Sequence, residues 1–541
     1  MALLLTAIVA GGLGWLIWWA FRGYVVKSCL DHIPGPPRTS FLTGNFGDMM
    51  RRDCWKFVDH LLESYSTTFK IHGLLGDKTL YTIDPIAVQS VLVKDNLSYE
   101  ETDEFIVGNG LVLGPGLIAT LGDVHRKQRK ILGPSFSNTN LRAIAPIIDQ
   151  VVERLCSAIK AQVKTSPEPV DMLNWMSRGA LEMLGKGGLG YSFDPLESPA
   201  HNPYGDAVKA LLPTMFAFAL HWLFVSWTPY LGTPQFRRWL LDMYPHRTAQ
   251  KLRGISDLMW RNAVRIVDEK KAALEKGEGL DDDEGKDIMS VLLKANMNAS
   301  AQDRLSDDQV IGQVNTFVLA GTDTTSNIMS RILDVLSIRQ DMQDRLRSEV
   351  MKARAELGAS ELSFDTVMEM PLLDAVCKES FRLYPPVLAI DRVVQKDTVL
   401  PLANPINDVH GNPVYKIPLT KGTGVTFSIY GYHRSKDIWG EDALEWKPDR
   451  WLVPLPETAR MFPGGTPFAN LMNFALGHRS CIGYRYAELE MKITLFRLME
   501  SFKFSSAGVD IYWNASHVVF PSLTKDSPAG SMPLKVQFIK A

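Results

Sequence analysis

Residues 474–483 read FALGHRSCIG, and this stretch decides how the whole chain is interpreted. Two glycines, Gly477 and Gly483, let the backbone pass close to a flat object. Arg479 stands two places before Cys481 and can meet an anionic group. A helical pattern begins directly after the stretch, so Cys481 precedes a helix N-terminus, where amide groups and the helix dipole favour a thiolate.

The same residue types suit a thiolate that is bound to heme iron. Phe474, at the start of the stretch, can shield the sulfur from water. The alternative is that Cys481 is a buried small apolar residue, as most isolated cysteines are.

The pattern F-x-x-G-x-R-x-C-x-G resembles the heme-binding loop of the cytochrome P-450 superfamily at every fixed position. The resemblance implies that Cys481 is the proximal axial ligand of heme b, where a thiolate promotes heterolytic O–O cleavage. It extends from about residue 33 to the C-terminus, and it implies a mainly α fold with small β-sheets, the cytochrome P-450 fold. The chain looks like the fungal, membrane-anchored members that serve secondary metabolism.

A second pair of motifs supports the likeness. Glu379 and Arg382 have the spacing of the family's E-x-x-R, one helical turn apart. Alone, this spacing is common and would indicate an ordinary surface ion pair. Residues 446–451 read WKPDRW, and the resemblance implies that Arg450 joins the pair in a buried charged cluster that braces the heme loop. Trp451 stands where the family usually has phenylalanine.

Residues 320–325 read AGTDTT inside a helical, largely apolar pattern. A glycine and threonines weaken a helix interior, and a local rule broken there suggests function, although a kink or a packing contact is the plainer alternative. The segment resembles the family's distal A/G-G-x-D/E-T-T. The resemblance implies that Gly321 makes room for dioxygen, that Asp323 relays protons, and that Thr324 holds the bound peroxide and its water by hydrogen bonds.

Residues 122–130 read GDVHRKQRK, a basic helix whose plain interpretation is a solvated face. In the family, similar helices place a donor and an arginine on the heme propionates, which implies these roles for His125 and Arg129. His125 stands where tryptophan is common. Arg392 and Arg479 match the family's other propionate positions. The remaining cations of the helix would face outward, where an acidic redox partner could dock.

The composition excludes several other classes of protein. The 541 residues carry 58 basic and 60 acidic side chains, so a nucleic-acid partner is not expected. The five cysteines are scattered without CxxC spacing, which argues against a disulfide framework or a structural zinc site and favours a reducing compartment. They are Cys29, Cys54, Cys156, Cys377 and Cys481.

Residues 2–21 contain no charge and are long enough to span a bilayer as a helix. A cleaved signal peptide would need positive charge before the apolar run, whereas Arg22 and Lys27 follow it. We therefore predict a transmembrane anchor at 1–21, a basic, proline-rich hinge at 22–40 and one large heme domain at 41–541. The positive-inside rule then predicts a single-pass protein of the endoplasmic reticulum membrane with its catalytic domain in the cytosol.

A second apolar run, residues 211–231, contains no acidic or basic residue other than His221. Pro213 and Pro229 bracket it, and a second crossing would place the rest of the chain on the other side of the membrane. We predict a buried helix whose exposed end dips into the lipid surface.

These observations predict a heme-thiolate monooxygenase that inserts one oxygen atom from O2 into a lipophilic substrate, such as a terpenoid, a sterol or another lipid. No dinucleotide-binding fingerprint is present, so the resemblance implies electrons from NADPH through a separate cytochrome P-450 reductase, with cytochrome b5 as a further donor. Two alternatives remain open: an isomerase or dehydratase of the same fold, which needs no reductase, and a non-catalytic heme carrier or sensor, which needs Cys481 but not Asp323 and Thr324.

Overall fold

The computed structural model describes residues 10–12, 14, 18, 21–197, 202–276, 285–358, 361–460, 468, 470–525, 527 and 529–539. Most of the predicted anchor, residues 1–21, lies outside this part of the chain, and the anchor remains a prediction. None of the helices that the structure describes combines the length and the apolar character needed to cross a membrane.

Helices dominate the described residues, as the sequence predicts. Some of them begin at a side-chain cap. Ser306 accepts a hydrogen bond from the backbone N–H of Gln309, and the Gln309 side chain accepts one from the N–H of Ser306, where a 32-residue helix begins. The α-helices are α1 Phe46–Met49, α2 Trp55–Ser64, α3 Pro85–Gln89, α4 Asp103–Leu113, α5 Gly122–Leu132, α6 Asn138–Thr165, α7 Met172–Met183, α8 Pro203–Ala217, α9 Pro234–Met243, α10 Arg247–Glu275, α11 Ile288–Met297, α12 Asp307–Ile338, α13 Gln340–Leu357, α14 Phe364–Met368, α15 Pro371–Leu383, α16 Ile429–Arg434, α17 Lys436–Trp439 and α18 Tyr484–Ser501.

The strands are short, also as predicted. They are β1 Thr68–His72, β2 Lys78–Thr82, β3 Tyr99–Glu100, β4 Val170–Asp171, β5 Ala389–Val394, β6 Thr398–Asn407, β7 Pro413–Leu419, β8 Gly424–Ser428, β9 Phe502–Ser506, β10 Tyr512–Asn514, β11 Phe520–Ser522 and β12 Pro533–Phe538.

The chain divides into two compact units. The first comprises Met1–Thr102, Leu388–Leu444 and Pro456–Ser480. Its described residues form a sheet in the order β1-β2-β8-β5-β3, in which the β2 and β8 strands are parallel and the other neighbours antiparallel, and a separate β6-β7 hairpin. The β5 strand carries Arg392, one of the predicted propionate ligands.

The second unit comprises Asp103–Val387, Glu445–Leu455 and Cys481–Ala541. It is mainly helical, with α12 packed against α7 and α18 packed against α6, and it contains small β4-β12-β9 and β10-β11 sheets among its described residues. The α12 helix is buried along most of its length. This unit carries Cys481, the distal pair Asp323 and Thr324, and the α5 helix.

The apolar run at 211–231 does not form the single buried helix that we predicted. The α8 helix ends at Ala217, and the residues Ala219–Tyr230 continue as a 3-10 segment. The backbone hydrogen bonds of a 3-10 helix have a poorer geometry than those of an α-helix. Several aromatic and aliphatic side chains of this region are exposed, including Phe224, Tyr230 and Leu231.

Candidate functional site

Cys481 lies three residues before the first residue of α18. All five cysteines fall within the described residues, and Cys481 is the one that is exposed; Cys54, Cys156 and Cys377 are buried. Protein atoms still surround its thiol, and this desolvation raises the pKa of Cys481. The backbone N–H of Gly483 and the Arg129 guanidinium act in the opposite direction. A thiol with these neighbours can become a ligand when a cation arrives.

The loop before Cys481 is held in a conformation that few residues can adopt. Gly477 has φ +72°, and a Cβ added there would lie 1.8 Å from the Leu92 carbonyl oxygen. Ala475 also has a positive φ, +52°. The Phe474 ring packs edge to face on Phe468, with 5.0 Å between the ring centroids. The glycine in the motif is therefore required by a close backbone approach and not only by flexibility.

Two arginines of the first unit, Arg479 and Arg392, have buried side chains that each pair with a glutamate. Arg479 Nε lies 3.1 Å from Glu100 Oε1, and Arg392 Nη1 lies 2.8 Å from Glu101 Oε2. Desolvation tends to raise the pKa of Glu100, but hydrogen bonding to His478 and the charge of Arg479 lower it to about 2. A guanidinium has five N–H donors, so each arginine has the chemistry to take a further carboxylate.

The α5 helix carries two residues that are predicted to bind the heme propionates, together with several other cations. His125 is buried and Arg129 is half-buried, and the two are four residues apart on one face. Arg126 and Lys130 are exposed as predicted, where they pair with Asp123 at 2.7 Å and Asp303 at 3.0 Å, respectively. Lys127, predicted to face outward, is half-buried.

The structure brings Glu379, Arg382 and Arg450 together. The Glu379 and Arg382 side chains have no solvent exposure, and Arg382 Nε and Nη2 donate to the two carboxylate oxygens at 2.8 and 2.9 Å. Arg450 Nε lies 3.6 Å from Glu379 Oε1. The backbone N–H of Lys447 donates to the same oxygen at 2.9 Å. Every charge in this buried cluster therefore has a partner of opposite sign.

Trp451, a departure from the family pattern, joins this cluster. Its indole N–H donates to Glu379 Oε2 at 3.0 Å. Phenylalanine, the usual residue at this position, could not donate this hydrogen bond. The substitution therefore adds a donor to a carboxylate that is fully buried.

The middle of α12 presents a short open face. Ala320 is exposed and Gly321 and Thr324 are half-buried, although Thr322 and Thr325 beside them are buried. The Thr324 hydroxyl donates to the Ala320 carbonyl oxygen at 2.7 Å. Because the hydroxyl proton is used inside the helix, the lone pairs of Oγ1 are directed away from that bond and can accept a proton donor.

Asp323 is buried beside this face. Its Oδ1 accepts a hydrogen bond from Asn327 Nδ2 at 3.3 Å. Desolvation raises the pKa of Asp323 to about 6, against the opposing charge of Lys209 and the bond from Asn327. Sequence reasoning missed Lys209, a half-buried residue of α8, because nothing in its local pattern distinguishes it from a surface lysine.

Comparison with known proteins identifies the class. The family model described as "Cytochrome P450" matches residues 34–522, and the chain belongs to this family. Members are oxidoreductases that use heme and O2, and the fold and the recognised motifs agree with that assignment.

Several similar proteins are cytochrome P450 enzymes of fungi. "Cytochrome P450 monooxygenase 91" of Postia placenta is 40% identical over 540 residues, which cover 99% of each chain. "Ganoderic acid synthetase CYP5150L8" of Ganoderma lucidum is 40% identical over 542 residues, 98% of each chain. A cytochrome P450 monooxygenase of Hericium erinaceus is 35% identical over 525 residues, 94% of each. The predicted likeness to fungal members is confirmed, and the chain is a cytochrome P450 monooxygenase.

Proposed function

We propose that this chain is a single-pass monooxygenase of the endoplasmic reticulum membrane. It inserts one oxygen atom into a lipophilic substrate, and it takes electrons from NADPH through a separate reductase, with cytochrome b5 as a second donor. The observation that carries the proposal is the exposed residue Cys481 in front of α18, in a loop where Gly477 leaves no room for a side chain.

The predicted heme-binding residues have donor groups that suit heme b. The Cys481 sulfur would bind the heme iron, and Phe474 would shield the sulfur. Arg129, Arg392 and Arg479, with His125 as a hydrogen-bond donor, would hold the two propionates. When bound, heme supplies the dioxygen chemistry, in which one oxygen atom enters the substrate and the other becomes water.

Asp323 and Thr324, the distal residues, would bind and deliver the protons that this chemistry consumes. The Thr324 hydroxyl donates a hydrogen bond to the Ala320 carbonyl oxygen, and its Oγ1 can accept a hydrogen bond from a water molecule. Asp323, with a pKa of about 6, can release a proton near neutral pH and regain one from solvent. Lys209 would stabilise the ionised carboxylate between these events. The two residues would thus hold and deliver a proton at the open face of α12.

The cluster of Glu379, Arg382 and Arg450 would have a structural role. Its charges are buried and mutually paired, so it can hold the segment around Trp451 in one position. We assign to it the bracing of the heme-binding region that the family resemblance implies.

A terpenoid or another apolar secondary metabolite is the proposed substrate class. Phe317 on α12 and the segment of Val518, Val519 and Phe520 are apolar and buried. One relative carries a name that refers to the synthesis of ganoderic acid. Apolar residues of this kind select a substrate by shape and hydrophobicity.

Contact with the membrane has support in two regions. Residues 2–21 are uncharged, and exposed apolar side chains occur between Phe224 and Met243. Phe236, Trp239 and Met243 lie on one side of α9 at intervals of three and four residues. This amphipathic pattern suits the surface of a bilayer from which an apolar substrate is drawn.

The first test uses the heme spectrum and the products of turnover. The ferrous–CO complex should show the red-shifted Soret band of a thiolate ligand, and Cys481→Ala should abolish that band. Product should form from a lipophilic extract only when NADPH and the reductase are supplied. Turnover without the reductase would favour the isomerase or dehydratase alternative, and heme binding without any product would favour the carrier.

The second test examines the role of the Thr324 hydroxyl. Thr324→Ala should keep the CO spectrum but divert most of the NADPH consumed into hydrogen peroxide. Thr316→Ala is the matched control, because the Thr316 hydroxyl donates to the Gly312 carbonyl at the same 2.7 Å on the same helix. If the two variants converted the same share of the NADPH consumed into product, the role assigned to Thr324 would be contradicted.

A further inference from the structure

A cavity of about 540 Å³ lies on the second unit. The end of α4, the middle of α10 and one residue of α9 line it, and none of the residues that we assign to heme binding or catalysis does so. Its volume falls within the usual range of small-molecule sites. The function proposed above makes no use of this cavity.

The walls of the cavity are fixed by specific contacts. The Ser256 hydroxyl donates to the Val112 carbonyl oxygen at 2.7 Å and joins α10 to α4. Gly114 has φ +88°, and a Cβ added there would lie 2.5 Å from Cζ3 of Trp260. The absence of a side chain at this position lets the indole lie against the backbone. Trp260, with Leu111 beside it, gives the cavity an apolar wall.

The charges of the cavity do not cancel. Arg238 and Asp257 form a two-pronged ion pair, with both N–O distances 2.7 Å, and this fork uses both carboxylate oxygens. Arg238 also lies 3.2 Å from Asp242 on its own helix. The charges of Arg238, Arg253 and Arg261 all act to lower the pKa of Asp257.

Arg261 is the group that remains for a ligand. It lines the cavity, is exposed, and makes no ion pair with any residue in the described part of the chain. The cavity therefore offers one uncommitted guanidinium beside an apolar wall. A guanidinium prefers carboxylate to other organic groups because its planar fork matches the two oxygens.

We propose that this cavity is a binding site for a lipophilic carboxylate, distinct from the heme site. The carboxylate pairs with Arg261, and the apolar body lies on Trp260 and Leu111. Asp257 limits the affinity, because it occupies Arg238 and repels the ligand's negative charge. Binding therefore depends on both the charge and the apolar body of the ligand.

The test is photo-crosslinking of the full, heme-loaded chain in lipid nanodiscs. The probe is dodecanoate with a diazirine at its terminal carbon, and mass spectrometry locates the labelled peptides. We expect labelling within residues 103–116 and 247–275. A dodecanol with the same diazirine is the comparison probe, because it has the same body without the charge.

Variants of the charged residues sharpen the result. Arg261→Ala should reduce labelling of these peptides roughly three- to tenfold, the range for a partly exposed charged hydrogen bond, and Arg261→Lys should restore part of it. Asp257→Asn should increase labelling, because it removes the negative charge that repels the ligand. Arg154→Ala, an exposed arginine on α6, is the matched control and should leave labelling unchanged.

Several outcomes would overturn the proposal. Equal labelling by the alcohol would show partition from the bilayer alone. Unchanged labelling in Arg261→Ala, or a decrease in Asp257→Asn, would show that the charges do not act as described. Labelling confined to peptides outside the two ranges, with a Soret shift at the same probe concentration, would place the carboxylate at the heme site.

Discussion

Two buried carboxylates of the second unit, Glu379 and Asp323, have opposite surroundings. Glu379 receives two bonds from Arg382, one from the Lys447 backbone and one from the Trp451 indole. Asp323 receives one long bond from Asn327, and its pKa rises to about 6. Burial alone therefore does not decide what a carboxylate does. A carboxylate with several donors stabilises the fold, whereas one with few donors can exchange a proton near neutral pH.

The largest expected effect comes from removing the main partner of Glu379. Arg382→Ala leaves the carboxylate buried without its guanidinium, which should cost about 3–5 kcal/mol of stability. The measurement is the midpoint of thermal unfolding together with the heme content of the purified protein. Arg345→Ala is the control, because its pair with Asp449 is nearly half exposed and should contribute under about 1 kcal/mol. Similar losses in both variants would contradict the comparison.

The next effect concerns the pH dependence of stability. An ordinary aspartate has a pKa of 3.8, whereas folded Asp323 has about 6. The folded state therefore holds a proton that the unfolded state has lost, so the stability from this group is full below pH 3.8 and is lost as the pH rises through about 6. The loss is at most about 3 kcal/mol, since one pKa unit corresponds to about 1.4 kcal/mol.

Asp323→Asn should remove this dependence. The test compares unfolding midpoints of the two proteins across the interval from pH 4 to pH 7 in ~0.5 steps. Asp308→Asn, at an exposed aspartate in the first turn of the same helix, should leave the profile of the parent protein in place. A parent protein whose stability does not fall over this interval would show that Asp323 is better hydrated than its burial indicates.

The smallest expected effect comes from removing one hydrogen-bond donor from Glu379. Trp451→Phe removes the indole N–H and should cost about 1–2 kcal/mol, because a buried charged acceptor loses a hydrogen bond. Trp513→Phe is the matched control: its N–H donates to Asp334 at the same 3.0 Å, but that carboxylate is 14% exposed and water can replace the donor. Urea-unfolding curves of both variants provide the measurement. A larger loss in Trp513→Phe would contradict the assigned importance of burial.

The sequence predicted the long helices well, because their signals are local. The helical pattern predicted around residues 320–325 lies within α12, which begins at a capping box formed by Ser306 and Gln309. The run at 211–231 was predicted as one helix and is two segments that change at Ala217. Hydrophobicity does not distinguish an α-helix from a 3-10 segment, and the break falls four residues after Pro213.

The candidate site was predictable where a motif names the residue. The assignments of Cys481, Glu379 and Arg382 follow from the resemblance of their motifs to those of the family, but the environment of Asp323 does not. The charge of Lys209 acts on that carboxylate from a helix distant in sequence, and no local pattern indicates this interaction. The donor role of Trp451 was also hidden, because a departure from a motif does not reveal what the new side chain contacts.

The α9 helix has a consequence for how the protein unfolds locally. It has no buried residue among those described, and its contacts with α10 are ionic or polar, through Arg238, Asp242 and Gln250. Detaching such a segment exposes little new apolar surface, so its opening free energy is far below that of the whole unit. Added salt weakens these contacts, which makes the backbone amides of α9 exchange with solvent sooner than those of α10.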